Sequence, residues 1–314
     1  VSDPLEKDSL IPQERTNVVL HNGEMVRPSV IRARQATFVT PGLLTIFLLL
    51  ALPCLSLFVV SFLSRGDYGQ IEMKFTLDNI KSMLGFGFFG WSADNLWIIW
   101  RSIVIAVITT FICILVSYPL AFFLASRPDK TRMIWLTLLL VPFWTNLVIR
   151  TYAWLLALSP SMPIAKILGW LGIIESGSAL YPGSFAVYLG MVSTFLPFVA
   201  LPLYTAVEKL DWSIVEAAQD LYANPFRIFR HAILPQTMPG LSVGITLTLV
   251  PAMGMFVVPD ILGGSRYMLI GNLIQQQFGT SRNWPLGAAI SLVLMILTLS
   301  ALMAARRGST QGGH

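Results

Sequence analysis

Six stretches of this chain contain no Asp, Glu, Lys or Arg: residues 35–64, 102–126, 133–149, 177–207, 232–259 and 283–305. Each matches the roughly 18 or more apolar residues that carry a helix across the hydrocarbon core of a bilayer. Lipid offers the backbone no hydrogen-bond partner, and a helix satisfies its amides within one segment. The chain is 55% hydrophobic and 12% charged, about half the charged fraction usual in a soluble domain. The expected fold is therefore an all-α membrane protein with six transmembrane helices. They are placed at about 41–63, 102–125, 133–157, 184–207, 239–260 and 285–305.

Basic residues flank these spans unevenly. Arg27, Arg32 and Arg34 precede the first, and Arg127, Lys130 and Arg132 lie between the second and third. Lys209, Arg227 and Arg230 lie between the fourth and fifth, and Arg306 and Arg307 follow the last. In the alternate loops Arg65, Lys74, Lys81 and Arg101 are offset by Asp67, Glu72, Asp78 and Asp94. Excess Lys and Arg mark the cytoplasmic side, so both termini are expected there. The net charge of +5 is accounted for beside the membrane rather than by nucleic acid.

The chain divides accordingly into a cytoplasmic N-terminal tail (1–37), a transmembrane domain (38–307) and a disordered tail (308–314). The first 35 residues are polar and mixed in charge, with no apolar centre of a cleavable leader. Short outer helices are expected in LDNIKSML after Thr76 and at 164–171. Cys54 and Cys113 fall inside spans as unbridged thiols, and His21, His231 and His314 lack metal-ligand spacing. Pro119, Pro142, Pro197 and Pro251 sit within spans, where each removes a backbone donor and bends its helix.

The most informative segment is the cytoplasmic loop 208–238, which reads as two short helices. Ser213-x-x-Glu216 has the spacing of a capping box for the first. Asn224 and Pro225 supply an N-cap and a first-turn proline for the second. In that helix Phe226, Phe229 and Ile233 recur at i, i+3 and i+7 as an apolar stripe, and Pro235 is expected to stop it. A rigid amphipathic elbow of this kind suits docking into a groove on a cytoplasmic partner.

The run EAAQDL (216–221) followed by a helix ending in ILP resembles the EAA loop of binding-protein-dependent ABC importer permeases. LVPFWTNLVIRTYAW (140–154), PLYTAVEKLD (202–211), PAMGMFVVPDILGG (251–264), IGNLIQQQF (270–278) and NWPLGAA (283–289) resemble their spermidine/putrescine branch, as does FTLDN (75–79). The resemblance runs from about residue 38 to 306. It implies a type I importer fold in a bacterial inner membrane, with a loop that couples to an ATPase. Glu216, Ala217 and Ala218 match the loop's opening triplet, Asp220 and Leu221 the next pair, and Pro235 its closing proline. Tyr222 stands where the family has glycine, and Ala223, Asn224, Pro225, Phe226 and Phe229 complete the coupling segment.

The partners so implied are a second related permease, two ATP-binding subunits that use ATP and Mg, and an external solute-binding protein. No cofactor is expected on this chain itself. The implied solute is a small organic cation such as spermidine or putrescine. An opine, an amino-acid-like amine or a phosphonate in the same importer class is the alternative, and a secondary carrier is a more distant one. No GxxxxGK or HExxH occurs, so no ATPase or other catalytic site is expected.

Arg150 and Asp260 come out at one depth near the outer boundary when each span is counted as a straight helix, at about 1.5 Å per residue. Such a pair is expected either to form a structural ion pair or to leave Asp260 as a substrate contact. Trp144, Tyr152, Trp154 and Phe256 are candidates for an aromatic lining that would receive a cation, although aromatic belts at the membrane boundary use the same residues. Gly240-x-x-x-Gly244 has the spacing that permits close helix approach.

Overall fold

Apolar runs of this length do form helices, but not always as single straight rods. The computed structural model describes residues 19–21, 24–26, 28–66, 68–87, 90–91, 93–172 and 178–310. Residues 1–18 of the polar tail, Asp67 and residues 311–314 lie outside the described set. The chain separates into two units, Val1–Ser56 and Leu57–His314. The first holds a short hairpin pairing Val19–His21 with Glu24–Val26 and most of helix α1 (Pro28–Ser61). None of the most apolar window of α1 is buried within the chain.

The second unit opens with a hairpin of Leu63–Arg65 and Ile71–Phe75, then α2 (Asp78–Met83) and a two-residue pairing of Phe86–Gly87 with Gly90–Trp91. Helices α3 (Asp94–Ala125), α4 (Asp129–Trp144), α5 (Leu147–Ala157), α6 (Pro163–Trp170) and α7 (Ser184–Glu208) follow. After α7 come α8 (Trp212–Asp220), α9 (Pro225–Ile228), a π-helical turn Phe229–Ile233 and α10 (Leu234–Gly254). A second π-helical turn (Pro259–Gly263), α11 (Ile270–Phe278) and α12 (Trp284–Thr310) complete the unit. Helix α12 runs through residues 308–310, against the expectation of disorder there, and the rest of that expected tail lies outside the described residues.

Helix α7 is the axis of the bundle. Of its membrane-length window 56% is buried, against 33% for α3 and 22% for the run Pro225–Gly254. Its buried face sets the small residues Ala186, Gly190 and Ala200 among larger ones such as Met191, Phe195 and Leu203. The Gly240-x-x-x-Gly244 spacing is used where α10 crosses α7. A Cβ on Gly240 would lie 2.4 Å from the Pro202 carbonyl oxygen, and one on Gly244 would lie 3.1 Å from Val199 Cα. Removing side chains there brings two backbones into contact, which is how helices gain packing energy in lipid.

The third expected span, 133–157, is broken. Helices α4 and α5 meet at an angle of 95°. Thr145 and Asn146 are extended between them, and Asn146 Oδ1 accepts from Val148 N at 2.8 Å and Ile149 N at 3.4 Å, starting α5 afresh. The end of α4 is closed on the Pro142 carbonyl, which accepts from Thr145 Oγ1 at 2.6 Å and Arg150 Nη1 at 2.7 Å. A guanidinium on the last carbonyls of a helix also meets the negative end of its dipole.

The fifth expected span, 239–260, ends six residues early, at Gly254, with Met255 extended. Gly271 packs on that end, where a Cβ would lie 2.4 Å from the Gly254 carbonyl oxygen. Asn272 Nδ2 donates to the Phe256 carbonyl at 2.9 Å, and Ser102 Oγ accepts from Ile270 N at 2.8 Å. Arg101 Nη2 donates to the Met268 carbonyl. The start of α3 thus grips the segment that follows the fifth span.

Candidate functional site

The elbow joining α7 to α10 has every turn of its backbone closed. The N-cap of α8 is Asp211, not Ser213: its carboxylate accepts from Ser213 N at 3.0 Å and from Ser213 Oγ at 2.7 Å. The Ser213–Glu216 capping box is therefore not formed, and Glu216 is exposed without a polar partner among the described residues. Helix α8 ends with Ala223 N donating to Ala218 O at 3.1 Å and Tyr222 N to Gln219 O at 2.8 Å. That pair of bonds is a Schellman motif with Tyr222 at its left-handed position, φ 55°. The next helix opens as expected, with Asn224 Oδ1 accepting from Arg227 N at 2.8 Å and Pro225 in the first turn.

Pro235 does not stop that helix. Pro225–Gly254 is one 30-residue helical run. The π-helical turn Phe229–Ile233 widens the backbone just before Pro235, where its ring would otherwise press on the preceding turn. The apolar stripe is likewise divided. Phe229 packs edge-on against Tyr118, with ring centroids 5.2 Å apart. Ile233 joins Leu210, Val215 and Ala232 in a small core inside the elbow. Phe226 faces outward, 68% exposed, beside Leu221 at 82% and Tyr222 at 98%. Ala217, Asp220 and Asn224 are also exposed, and Ala218 and Ala223 are half-buried.

The elbow is wired to the spans around it. Gln236 Oε1 accepts from Asp211 N at 2.9 Å. Tyr118 OH and Thr237 Oγ1 lie 3.0 Å apart, joining α3 to α10. Arg132 pairs with Asp129 on its own helix and with Glu208 at 2.7 Å, joining α4 to the end of α7.

Away from the elbow, two cavities separate the residues expected to line a path. Arg150 and Trp154 border an apolar cavity of about 520 Å³ with Pro142, Ser193, Leu196 and Pro197. Trp154 Nε1 donates there to Ser193 Oγ at 2.9 Å. Asp260 borders a second cavity of about 410 Å³, whose lining includes Met268 and the polar residues Asn272, Gln275, Gln276 and Thr280. No Arg150–Asp260 ion pair forms among the described residues, because the break at Asn146 turns Arg150 back onto the end of α4. Nor do Trp144, Tyr152, Trp154 and Phe256 make ring contacts with one another. Trp144 and Tyr152 are exposed, and the Phe256 carbonyl, not its ring, contributes to the turn before Asp260.

The break in the third span and the grip of Ser102 and Arg101 on residues 268–270 escape a reading by hydropathy. Pro142 followed by Thr145-Asn146 is the one local signal for the first, since it places a helix breaker and a strong N-cap residue inside an apolar run. No local signal exists for the second, because it joins residues more than 160 positions apart.

The family model described as binding-protein-dependent transport system inner membrane component matches residues 117–306. The spermidine/putrescine transport system permease protein PotB of Escherichia coli (strain K12) is 41% identical over 256 residues, covering 82% of this chain and 90% of the relative. Its counterpart in Haemophilus influenzae is 40% identical over 246 residues, covering 78% of this chain and 84% of the relative. Among solved structures, a bacterial ABC transporter involved in the import of the acidic polysaccharide alginate superposes with a TM-score of 0.64 at 15% identity. That likeness covers 91% of this chain and 99% of that one, and extends to the fold alone.

Proposed function

This chain belongs to the family of binding-protein-dependent transport system inner membrane components, and from that premise we propose that it passes a polyamine such as spermidine or putrescine into the cytoplasm. It is a multi-pass permease subunit of the inner membrane and not an ATPase. The substrate reading is carried by one observation, identity along nearly the whole length of permeases named for spermidine and putrescine. On this reading an external solute-binding protein delivers the solute, a second related permease completes the path, and two ATP-binding subunits supply the energy from ATP and Mg.

The elbow is the coupling element, with Leu221, Tyr222 and Phe226 as its contact with an ATP-binding subunit. Continuity supports this. The helical run that begins at Pro225 ends at Gly254, about 45 Å away at 1.5 Å per residue. A push on the elbow therefore reaches the far end of the fifth span. The Arg132–Glu208 pair and the Tyr118–Thr237 contact spread it to neighbouring spans. Closure of the ATP-binding pair shifts the elbow and opens the path outward, solute enters from the binding protein, and hydrolysis with product release resets it.

The test is ATP turnover by the complete complex in proteoliposomes, with its cognate binding protein and a panel of solutes. Spermidine or putrescine should stimulate turnover. Stimulation by a neutral or anionic solute, with none by polyamines, removes the cation assignment.

A further inference from the structure

The apolar cavity between α4, α5 and α7 is bordered by a cation that these helices leave without a counter-ion. Of the polar side chains lining it, Trp154 and Ser193 are satisfied: Trp154 Nε1 bonds Ser193 Oγ, which donates on to the Gly190 carbonyl at 2.8 Å. Arg150 is not. Its Nη1 donates to the Pro142 carbonyl at 2.7 Å, and its Nε is buried with no hydrogen-bond partner among the described residues. Nη2 is the donor left to face a ligand. The carboxylates of the three helices are Asp129, which opens α4, and Glu208, which closes α7. Both pair with Arg132 at the elbow end of the bundle. An ionisable side chain within a span is costly and marks a functional site by default. The rest of the wall is aliphatic, with Leu138, Ala153 and Leu196 among its residues, and Leu138 and Ala153 are exposed, so the cavity opens to the surroundings of the chain.

We infer that this cavity holds an anionic lipid, with its phosphate on the Arg150 guanidinium and part of one acyl chain along the aliphatic wall. The two halves of the site ask for the two halves of one molecule. Guanidinium is the side chain best suited to phosphate oxygens, and the wall offers an acyl chain the contacts it has in the bilayer. A free anion gains nothing from that wall and loses its water. A zwitterionic lipid carries a cation of its own beside the phosphate, so it neutralises Arg150 less well. The volume of about 520 Å³ falls within the range for small-molecule sites, about 300–1,000 Å³, enough for part of a chain rather than a whole lipid.

The test maps occupancy in the complete complex, in nanodiscs of phosphatidylcholine and phosphatidylglycerol. A phosphatidylglycerol with a photoreactive diazirine in its acyl chain should label peptides from α4 and α5. Unlabelled phosphatidylglycerol should compete about fivefold better than phosphatidylcholine, the margin expected for one cation facing anionic lipid. Inorganic phosphate should not compete. Arg150→Gln, which keeps a donor for the Pro142 carbonyl, should erase the preference between the two lipids. Ala153→Phe fills the cavity from its exposed side without touching the charge, and should cut the labelling. Labelling absent from α4 and α5, as when the second permease covers this face, overturns the site. So do equal competition by the two lipids, a preference that survives Arg150→Gln, and labelling unchanged by Ala153→Phe. Competition by phosphate overturns the lipid and leaves a free anion as the occupant.

Discussion

The crossing of α7 over α10 and the elbow that joins them come from one stretch of chain, yet they use their side chains in opposite ways. At the crossing, side chains are absent or buried: Gly240 and Gly244 lie against the backbone of α7 at Pro202 and Val199. In the elbow every helix end is satisfied by Asp211, Asn224 or the bonds around Tyr222, while Leu221, Tyr222 and Phe226 stand in the open. The crossing is complete within this chain. The elbow is complete in its backbone only, an arrangement that fixes its shape before a partner arrives and lowers the ordering cost of binding.

The strongest way to break the contrast is Gly240→Ala. The new methyl meets a backbone carbonyl at 2.4 Å that cannot move without shifting α7, so the loss should reach the upper end of the about 1–3 kcal/mol of overpacking. Gly42→Ala is the control, since a Cβ there meets nothing within 4 Å. Thermal unfolding of the purified complex should separate the two, and equal stabilities would show that the crossing is not tightly packed.

Phe226→Ala is next and should act on the other side of the comparison. Within this chain an exposed side chain is worth within about 0.5 kcal/mol, so expression and membrane insertion should persist. Loss of a central aromatic anchor from the ATPase contact should cost about 2 kcal/mol or more in assembly. Co-purification of the ATP-binding subunits and stimulated turnover measure it, and wild-type values for both would remove Phe226 from the coupling face.

Tyr222→Gly should have the smallest effect and sharpen the contrast most. Glycine relieves the left-handed strain, a gain of up to about 1 kcal/mol, and a residue 98% exposed gives up no packing within the chain. Stability and assembly should be preserved or slightly improved. A clear loss of assembly with stability intact would show that the tyrosine ring is held out for the partner.

How far the sequence reaches differs along the same line. The membrane class follows from the absence of charge, a property of each residue alone, and it survives every local surprise. The Asn224–Pro225 start is legible because caps act over two or three residues, whereas the left-handed turn at Tyr222 is not, since a tyrosine is compatible with ordinary dihedrals as well. The Arg150–Asp260 pairing fails because depth matching treats both spans as straight rods, and neither is one. Pro235 is misread as a stop because a proline announces a lost donor but not the π-helical turn that absorbs it. The stripe of Phe226, Phe229 and Ile233 is correct in period and divided in use, since the positions of Tyr118 and Leu210 enter only with the tertiary fold.

The break after Trp144 also has a consequence for the lipid around this subunit. Helix α4 has 16 residues, about 24 Å at 1.5 Å per residue, while the hydrocarbon core of a bilayer is about 30 Å thick. Its first four residues, Asp129 to Arg132, carry three charges, so the part acyl chains can wet is shorter still. Where lipid covers this edge it must then compress, at a fraction of a kcal/mol for each ångström of mismatch. Longer acyl chains raise that elastic cost and shorter ones relieve it, so the subunit carries a preference for thin bilayer on one side of its perimeter.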